Sequence, residues 1–461
     1  MAAEIVEKVR INPGNYYRSN KDTYSKEEYK QELKKTEEKL LPLIETCKKH
    51  NTALRIGSNH GSLSSRIIFQ YGDTPEGMVH SALEYVDICK KHNFFDIILS
   101  MKSSNTRVMV QAYRLLMHRM IKSGDVFPLH LGVTEAGHGE DGRIKSAVGI
   151  GALLLDGLGD TIRVSLTENP DLEIPVAEKL RNIALDRFAS ETQDIDSLPF
   201  DPFEYRRRKT YDVAGVGDNN PLVVTGRDAM FEYYLKKNAL YRSDGEKLQV
   251  KIAEINDAQD LDIALAIKED KLIFLHAKSV QQARSVINRL NQAEDFSPVL
   301  LRIKSQITNK EDLTIEMASL AGTFLVDGLV DGLMIENDNF SSAALYELSC
   351  NILQASRARI FKTEFISCPG CGRTLFDLQT TAEHIRKSLG HLKGLKIGIM
   401  GCIVNGPGEM ADADYGYVGA AKGKVNLYKN KEIIKSGVPE DKALEELINL
   451  IKFYGDWKEP G

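Results

Sequence analysis

The sequence predicts an α/β protein assembled from parallel βαβ units, and three observations support this fold class. Apolar runs of strand length alternate with amphipathic stretches of helix length along most of the chain. The chain has 461 residues, enough for about two to four domains with cores of their own. Hydrophobic residues make up 42% and charged residues 27%, which is typical of globular proteins and excludes the disordered class.

The charge balance excludes one broad class of function. There are 60 Lys and Arg residues against 65 Asp and Glu residues, a formal net charge of −5, so a polycationic nucleic-acid binder is not expected. No run of 18 uncharged apolar residues occurs, and the first ten residues lack the apolar core of a signal peptide. We therefore predict that the protein is not exported and binds neither nucleic acid nor a membrane.

The first region, residues 1–189, is predicted to contain five strands, each followed by a helix. Ser25 and Glu28 have the spacing of a capping box, which predicts a helix running to about His50. The predicted strands are 8–12, 53–57, 95–100, 129–134 and 161–166. The later helices are predicted at 75–90, 106–123, from 146, and at 174–188. A closed barrel of this type needs eight strands, so the pattern allows an open five-stranded sheet or a barrel that the chain enters partway.

The rest of the chain is predicted to form a linker and two further domains. Residues 190–220 contain Pro199, Pro202 and a basic run at 206–209, which favours a linker. A second αβ series follows in residues 221–357, with strands at 250–255, 272–276, 299–303 and 332–335. Its acidic residues at 327, 331 and 336 are interpreted as loop or edge residues rather than a site. Residues 358–461 form the third domain, ending in a helix at 440–454.

The cysteines indicate a metal centre in this third domain. Six cysteines in the chain are too few for a disulfide scaffold, so a reduced compartment is expected. Cys368 and Cys371 flank a Pro-Gly pair, and Cys402 follows 31 residues after Cys371 in another Gly-rich segment. Two thiolates on such a tight turn can bind one metal centre, and glycine allows backbone amides to approach the sulfurs. An iron-sulfur cluster is the favoured interpretation, with Glu409 as a weaker fourth ligand.

Two alternatives remain open on spacing alone. Zinc would need a fourth ligand, which His384, His391 or Glu409 could supply. A redox-active dithiol at the first two cysteines would leave Cys402 without a role.

A second set of polar residues lies at the carboxyl ends of the first five strands. That end of a parallel αβ unit is where ligand sites form. Four cations converging there would suit a diphosphate, because arginine makes bidentate contacts and lysine supplies a point charge. The residues are Arg10, Asn12, Arg55, Asn59, Lys102, Glu135, Arg163 and Ser165.

Seven segments together resemble one family. They occur in family order over residues 1–189 and 350–461, and they resemble 4-hydroxy-3-methylbut-2-enyl diphosphate synthase of the methylerythritol phosphate pathway. The middle region resembles the extra domain of the larger form of this enzyme found in plants and some bacteria. The segments are KVRINPGN (8–15), RIGSNHGSL (55–63), SMKSSN (100–105), LGVTEAG (131–137), GDTIRVSL (159–166), SCPGCGRTLFD (367–377) and MGCIVNGPGEMAD (400–412).

The resemblance implies a fold, a reaction and a cofactor. The fold is a partial TIM barrel, an inserted barrel-like α/β domain and a C-terminal α+β domain similar to part of sulfite and nitrite reductases. The reaction is the reductive ring opening of 2-C-methyl-D-erythritol 2,4-cyclodiphosphate, with loss of water, to a linear allylic diphosphate. The cofactor is a 4Fe-4S cluster, for which ferredoxin or flavodoxin is the implied electron donor.

The resemblance also assigns roles to residues. Glu135 is implied as the proton donor to the departing hydroxyl group. The implied cluster ligands are Cys368, Cys371, Cys402 and the exchangeable Glu409. The implied substrate-binding residues are Arg10, Arg55, Asn59, Lys102, Arg163, Ser165 and, beside the cluster, Asn405.

The resemblance has consequences for assembly and location as well. A homodimer in the bacterial cytoplasm, or in the plastid stroma of a plant, is expected. In the family the motif at 8–15 lies at the fourth barrel strand, so about three of the eight strands would be absent from this sequence. We therefore expect an N-terminally incomplete enzyme, and the alternative is a noncatalytic remnant that binds an iron-sulfur cluster or zinc.

Overall fold

The structure is a computed structural model that describes residues 2–17, 21–188, 197–237, 239–277, 279–370, 372–404, 406–410 and 412–460. The chain divides into two compact units. The first consists of Met1–Gly142, Leu158–Glu173 and Lys362–Gly461. The second consists of Arg143–Gly157 and Ile174–Phe361. The division into three domains with a linker stays a prediction.

Strands and helices alternate through most of the chain. The strands are β1 (Lys8–Ile11), β2 (Ala53–Asn59), β3 (Ile97–Lys102), β4 (His130–Leu131), β5 (Thr161–Ile162), β6 (Val223–Gly226), β7 (Tyr233–Lys236), β8 (Ala239–Arg242), β9 (Lys251–Ile255), β10 (Lys271–His276), β11 (Val299–Lys304), β12 (Gly332–Glu336), β13 (Glu364–Ser367), β14 (Lys396–Met400), β15 (Tyr415–Ala421), β16 (Lys424–Lys429) and β17 (Glu432–Pro439). The helices are α1 (Pro13–Tyr16), α2 (Lys26–His50), α3 (Ser65–Tyr71), α4 (Pro75–Lys91), α5 (Thr106–Ser123), α6 (Gly139–Leu155), α7 (Glu173–Phe188), α8 (Ala258–Ala266), α9 (Val280–Gln292), α10 (Lys310–Val326), α11 (Ser342–Ala355), α12 (Leu378–Leu389), α13 (Gly406–Glu409) and α14 (Glu440–Phe453).

The first five strands form an arc in which spatial order follows chain order. Strands β1, β2 and β3 pair in parallel, a parallel bridge from Leu99 to Leu129 joins β3 to the segment before β4, and β4 pairs in parallel with β5. A doubly wound open sheet reverses its strand order at a switch point, whereas a barrel winds in one direction. The observed order therefore favours the barrel over the open sheet.

Local signals predicted the elements of this arc well. The capping box of Ser25 and Glu28 is present at the start of α2, and α5 has the predicted bounds with Asn105 as its N-cap. The predicted strands 129–134 and 161–166 are longer than β4 and β5, which have two residues each. After β4 the chain makes other backbone contacts: the N–H of Thr134 donates to the carbonyl oxygen of Ser103, and Ala136 forms a parallel bridge with Ser367 of β13.

Two helices of the first region differ from the sequence-based expectation. Helix α3 has seven residues, too few to give a helical period in the sequence. Helix α6 begins at Gly139, seven residues before the predicted start, although Gly139 and Gly142 fall in its first turn. Glycine has a low helix propensity, but a Cβ atom on Gly142 would lie 2.6 Å from the carbonyl oxygen of Gly137. Close packing therefore explains the glycine at 142, and a positive φ of 62° explains the glycine at 139.

The second unit contains a seven-stranded sheet with the order β8-β7-β6-β12-β11-β10-β9. All its described pairings are parallel except the hairpin of β7 and β8. The four strands predicted for this region are confirmed as β9 to β12, and β6 to β8 were not predicted. The described part of the expected linker, 197–220, has no helix or extended strand. It packs on this unit, where buried Arg208 donates to the carbonyl oxygens of Asp295 and Ser297.

An arginine buried in the second unit lies between two carboxylates. The guanidinium group of Arg284 donates to Asp156 at 2.8 Å and to Asp327 at 2.7 Å, and Asp327 is itself buried. On the same helix, Arg289 pairs with Asp262 at an exposed position. Asp327, interpreted as a loop residue, is therefore a structural ion-pair partner.

Replacing Arg284 by methionine should reduce the free energy of unfolding by about 3–5 kcal/mol, because two carboxylates would lose their buried cation. Urea denaturation followed by circular dichroism measures this change. Arg289→Met is the matched control, and an exposed pair of this kind contributes about 0–1 kcal/mol. Equal losses of unfolding free energy in the two variants would contradict a stabilising role for the buried ion pairs of Arg284.

The carboxyl-terminal part of the first unit is an α+β layer with the strand order β13-β14-β15-β16-β17. The first three strands are parallel and the last two pairings are antiparallel. Helices α12 and α14 contribute Ile385, Leu389, Leu447 and Ile451 to the hydrophobic core that includes Tyr415 of β15. This packing fixes the carboxyl ends of β13 and β14, after which the cysteines of interest follow.

Candidate active site

A cavity of about 240 Å³ lies within the first unit, where the carboxyl ends of the barrel-arc strands meet those of β13 and β14. The predicted residues among its lining are Arg10, Arg55, Asn59, Lys102, Glu135, Arg163, Ser165, Cys368, Cys402 and Glu409. Cys371 and Asn405, also predicted, lie outside the described residues. The structure thus brings together two sets of residues that lie some 200 positions apart in the sequence.

Hydrogen bonds orient the cation at the end of β1. One terminal nitrogen of Arg10 donates to the carbonyl oxygen of Gly57 at 3.0 Å and to Oδ1 of Asn59 at 2.8 Å. A Cβ atom on Gly57 would lie 2.5 Å from Nε of Arg10 and 2.8 Å from Oγ of Ser100. Glycine at 57 is therefore needed for the guanidinium group to lie across β2.

Lys102 is the most deeply buried cation of the cavity, with 6% of its surface exposed. Burial, followed by the nearby charges of Arg163, Arg55 and Arg10, lowers the pKa of its ammonium group to about 7. Its Nζ would lie 3.1 Å from a Cβ atom on Gly132, so a small residue there leaves room for it. Cations crowded in this way are each destabilised, and a bound polyanion would relieve that repulsion.

His130 of β4 is close to the same cations. It was not predicted from the sequence as a site residue. Burial and then the charge of Lys102 lower the pKa of this imidazole to about 3, so the ring is neutral. Its Nδ1 lies 2.8 Å from Oγ1 of Thr161. No local motif marks this histidine, because the cations that surround it come from other strands. Their proximity is visible only in the folded chain.

Glu135 is a buried carboxyl group on the wall of the cavity, with 4% of its surface exposed. Its backbone has a positive φ of 49°, a strained value for a residue with a side chain. Burial, and next the carboxylate of Glu409, raise the pKa of Glu135 well above its usual range. Its Oε2 is buried and has no hydrogen-bond partner among the described residues. The group is thus placed to hold a proton and to face a ligand.

The cysteine side of the cavity is formed by the loops after β13 and β14. Cys368 directly follows β13, and its sulfur accepts a hydrogen bond from the backbone N–H of Gly401 at 3.3 Å. Cys402 follows β14, and Glu409 ends the short α13. Burial raises the pKa of the Cys368 thiol to about 11. A half-buried sulfur that accepts a backbone N–H has the environment of an iron-sulfur ligand.

The described residues contain no three His, Cys, Asp or Glu side chains placed closely enough to hold a metal ion. Cys371, the third expected thiolate, is not among them. Cys368, Cys402 and Glu409 nonetheless line one cavity, so the donor set suits a metal centre. Neither His384 nor His391 lines it, and Nε2 of His391 lies 2.9 Å from the carbonyl oxygen of Lys458. The zinc alternative thus lacks a histidine ligand in the described cavity.

Sequence reasoning also missed Arg373, which lines the cavity from the cysteine side. It is the second residue after Cys371 and is exposed. Its closeness to the cysteine motif could have marked it as a site residue. The other cations were predicted from their positions at strand ends, and that criterion does not apply to a loop residue. The cavity therefore has cations on both of its sides.

Among the part of the chain that the structure describes, Cys47, Cys89, Cys350, Cys368 and Cys402 are all free thiols. None of the described helices is both long and apolar enough to cross a membrane.

Comparisons with known proteins match an N-terminal and a C-terminal region of the chain to known domains. Residues 1–178 match the GcpE TIM-barrel domain, and residues 364–453 match the GcpE protein C-terminal domain. Two similar curated relatives are named 4-hydroxy-3-methylbut-2-en-1-yl diphosphate synthase (flavodoxin). The protein of Parabacteroides distasonis is 45% identical over 99% of this chain and 83% of its own length. The protein of Chlorobaculum tepidum, with the same name, is 38% identical over 100% of this chain and 78% of its own length.

Proposed function

The chain belongs to the GcpE family of 4-hydroxy-3-methylbut-2-en-1-yl diphosphate synthases, and from that premise we propose how its cavity performs the reaction. It is an oxidoreductase of the methylerythritol phosphate pathway, and its first region is a GcpE TIM-barrel domain. A noncatalytic remnant is not favoured by these similarities. The roles of the residues, the cluster and the electron donor form the proposal.

We propose that the cations at the strand ends bind the cyclodiphosphate. Arg10, Arg55, Lys102 and Arg163 line the cavity together with Asn59 and Ser165. Ring opening frees a diphosphate oxygen from an ester bond, so negative charge develops there. Preorganised cations stabilise such charge without reorganising during the reaction. Asn405 lies outside the described residues, and its role beside the substrate stays a prediction.

Glu135 is proposed to donate the proton that leaves with the hydroxyl group. The carboxyl group is buried on the cavity wall and has an oxygen free of protein partners among the described residues. A general acid must reach the leaving group directly or through one water molecule, and a position on the cavity wall allows this.

The proposed cofactor is a 4Fe-4S cluster held by Cys368, Cys371, Cys402 and Glu409. When bound, such a cluster supplies the electrons of the reduction one at a time. The two described cysteines follow adjacent parallel strands, and the N–H of Gly401 donates to the sulfur of Cys368. The C-terminal domain is proposed to resemble that of sulfite and nitrite reductases.

Flavodoxin is the proposed electron donor, because the relatives carry that word in their names. Ferredoxin is the other donor that the sequence predicted, and reduction assays with each protein distinguish them. The homodimer and the cytoplasmic location also stay predictions.

One observation carries this proposal: the four predicted cations of the barrel strands, a buried carboxyl group and two cysteines line a single cavity. Its test is to reconstitute the purified chain anaerobically, measure iron and sulfide, and assay conversion of the cyclodiphosphate by mass spectrometry. We expect about four iron and four sulfide per chain, together with the linear diphosphate product. Zinc in place of iron, or a full cluster without product, would contradict the proposal.

A pH dependence follows from the environment of Lys102. Its pKa of about 7 means that the free protein loses this positive charge as the pH rises through 7. The kcat/KM for the cyclodiphosphate should therefore fall between about pH 7 and 9, since this ratio reports groups of the free enzyme.

Lys102→Met should remove this alkaline decrease and lower kcat/KM at neutral pH. Lys122→Met is the matched control, because Lys122 is exposed in the last turn of α5. An unchanged pH profile in Lys102→Met would show that another group titrates.

A further inference from the structure

Two backbone segments that carry proposed site residues also contact the chain at the first cysteine. Glu135 is followed by Ala136, which forms a parallel bridge with Ser367. Arg163 and Ser165 line the cavity, and two residues later Thr167 reaches the end of β13. Cavity-lining residues and the contact with β13 are therefore separated by a single residue along the chain.

The hydroxyl group of Thr167 lies at the junction of these segments. Its Oγ1 is 3.1 Å from the carbonyl oxygen of Cys368, 3.4 Å from that of Ser367 and 3.0 Å from Oγ of Ser367. The hydroxyl of Ser367 can donate to Thr167, which then donates to a backbone carbonyl. Thr167 and Ser367 are both buried, at 3% and 1% exposure. The N–H of Thr167 also donates to the carbonyl oxygen of Gly137 at 2.9 Å.

Other contacts hold the carboxyl-terminal layer to the barrel arc independently of Thr167. Asp141 lies 2.8 Å from the ammonium group of Lys362 and 3.5 Å from the guanidinium group of Arg386. His138 lies 3.4 Å from Glu383 of α12. Removing one hydroxyl group should thus leave the two parts associated, while the backbone at Cys368 loses its alignment.

We propose that Thr167 is a positioning residue that aligns the backbone of Cys368, and hence the cluster it would ligate, with the cations and Glu135. The inference rests on the proposed function, since it assumes a cluster at Cys368. A buried hydroxyl that donates to the carbonyl oxygen of Cys368, 3.1 Å away, restrains where the cysteine lies. A misplacement of about 1 Å between reacting groups can cost about a hundredfold in rate.

The test compares Thr167→Val and Thr167→Ser with the unchanged chain after anaerobic reconstitution, with dithionite as reductant. Valine has the shape of threonine without its hydroxyl group, and serine restores the hydroxyl. We expect Thr167→Val to keep its iron, to lose about 10- to 100-fold in kcat, and to keep its KM within about twofold. The change that the cyclodiphosphate causes in the EPR spectrum of the reduced cluster should be smaller in this variant. Thr167→Ser should lie within about threefold of the unchanged chain.

Thr36→Val is the matched control, because buried Thr36 also donates to a backbone carbonyl, that of Glu32 within α2. It should leave kcat unchanged. Thr167→Ala repeats the test if the valine variant does not fold. The inference is overturned if Thr167→Val and Thr167→Ala keep kcat within about twofold, or if iron is lost in parallel with activity. Absence of iron or product in the unchanged chain would instead refute the proposed function.

Discussion

Cys402→Ser is expected to abolish turnover of the cyclodiphosphate and to lower the iron content of the reconstituted chain. Cys402 follows β14 and lines the cavity opposite the strand-end cations. A serine hydroxyl is not deprotonated at neutral pH and is a poor ligand for iron in such a cluster. Iron and sulfide analysis and a turnover assay on the same sample measure both effects.

Two further variants make this result specific. Cys350→Ala removes a buried cysteine from α11, which belongs to the second unit, and should keep iron and turnover. Glu409→Ala should keep bound iron, because the thiolates remain, yet lose most turnover. Full iron content and turnover in Cys402→Ser would exclude this cysteine as a ligand, and unchanged turnover in Glu409→Ala would exclude the role of Glu409.

Glu135→Gln should reduce kcat by about 10²- to 10⁴-fold, the contribution typical of a general acid. Glutamine keeps the shape of the side chain and its hydrogen-bonding capacity, but its amide does not give up a proton to a leaving group. Because Glu135 is on the cavity wall and is not a predicted cluster ligand, iron content should not change. Steady-state kinetics with dithionite as reductant measure this effect without dependence on the donor protein.

Glu37→Gln is the control for this second substitution. Glu37 lies on α2 and pairs with Lys91 and His92, so its loss should leave kcat unchanged. If Glu135→Gln kept kcat within about threefold of the unchanged chain, proton donation by Glu135 would be wrong. A loss of iron together with kcat would instead assign Glu135 to cluster assembly.

Sequence reasoning worked where a feature is local or follows from strand direction. The capping box of Ser25 and Glu28 sets the start of α2. The carboxyl ends of parallel strands meet at one edge, so strand direction predicts that Arg10 and Lys102 share one site. Arg55 was expected at the end of its strand, but β2 continues to Asn59. The structure places all three in the lining of one cavity.

Features that depend on contacts between distant parts of the chain could not be predicted. Thr167 bonds to Ser367, 200 residues away, and nothing near either residue marks the contact. The low pKa of Lys102 arises from burial among arginines on other strands. Helix α6 begins at Gly139, which has a positive φ of 62°, and Gly142 in its first turn packs closely on Gly137. Each of these properties is set by tertiary packing, which local patterns do not encode.

We infer that the cluster and the diphosphate-binding cations contact the same substrate in one cavity. The most direct test is the EPR spectrum of the anaerobically reconstituted, dithionite-reduced chain with and without saturating cyclodiphosphate. We expect a cluster signal whose g values change when the substrate is added. A cluster signal that is identical with and without bound substrate would contradict it.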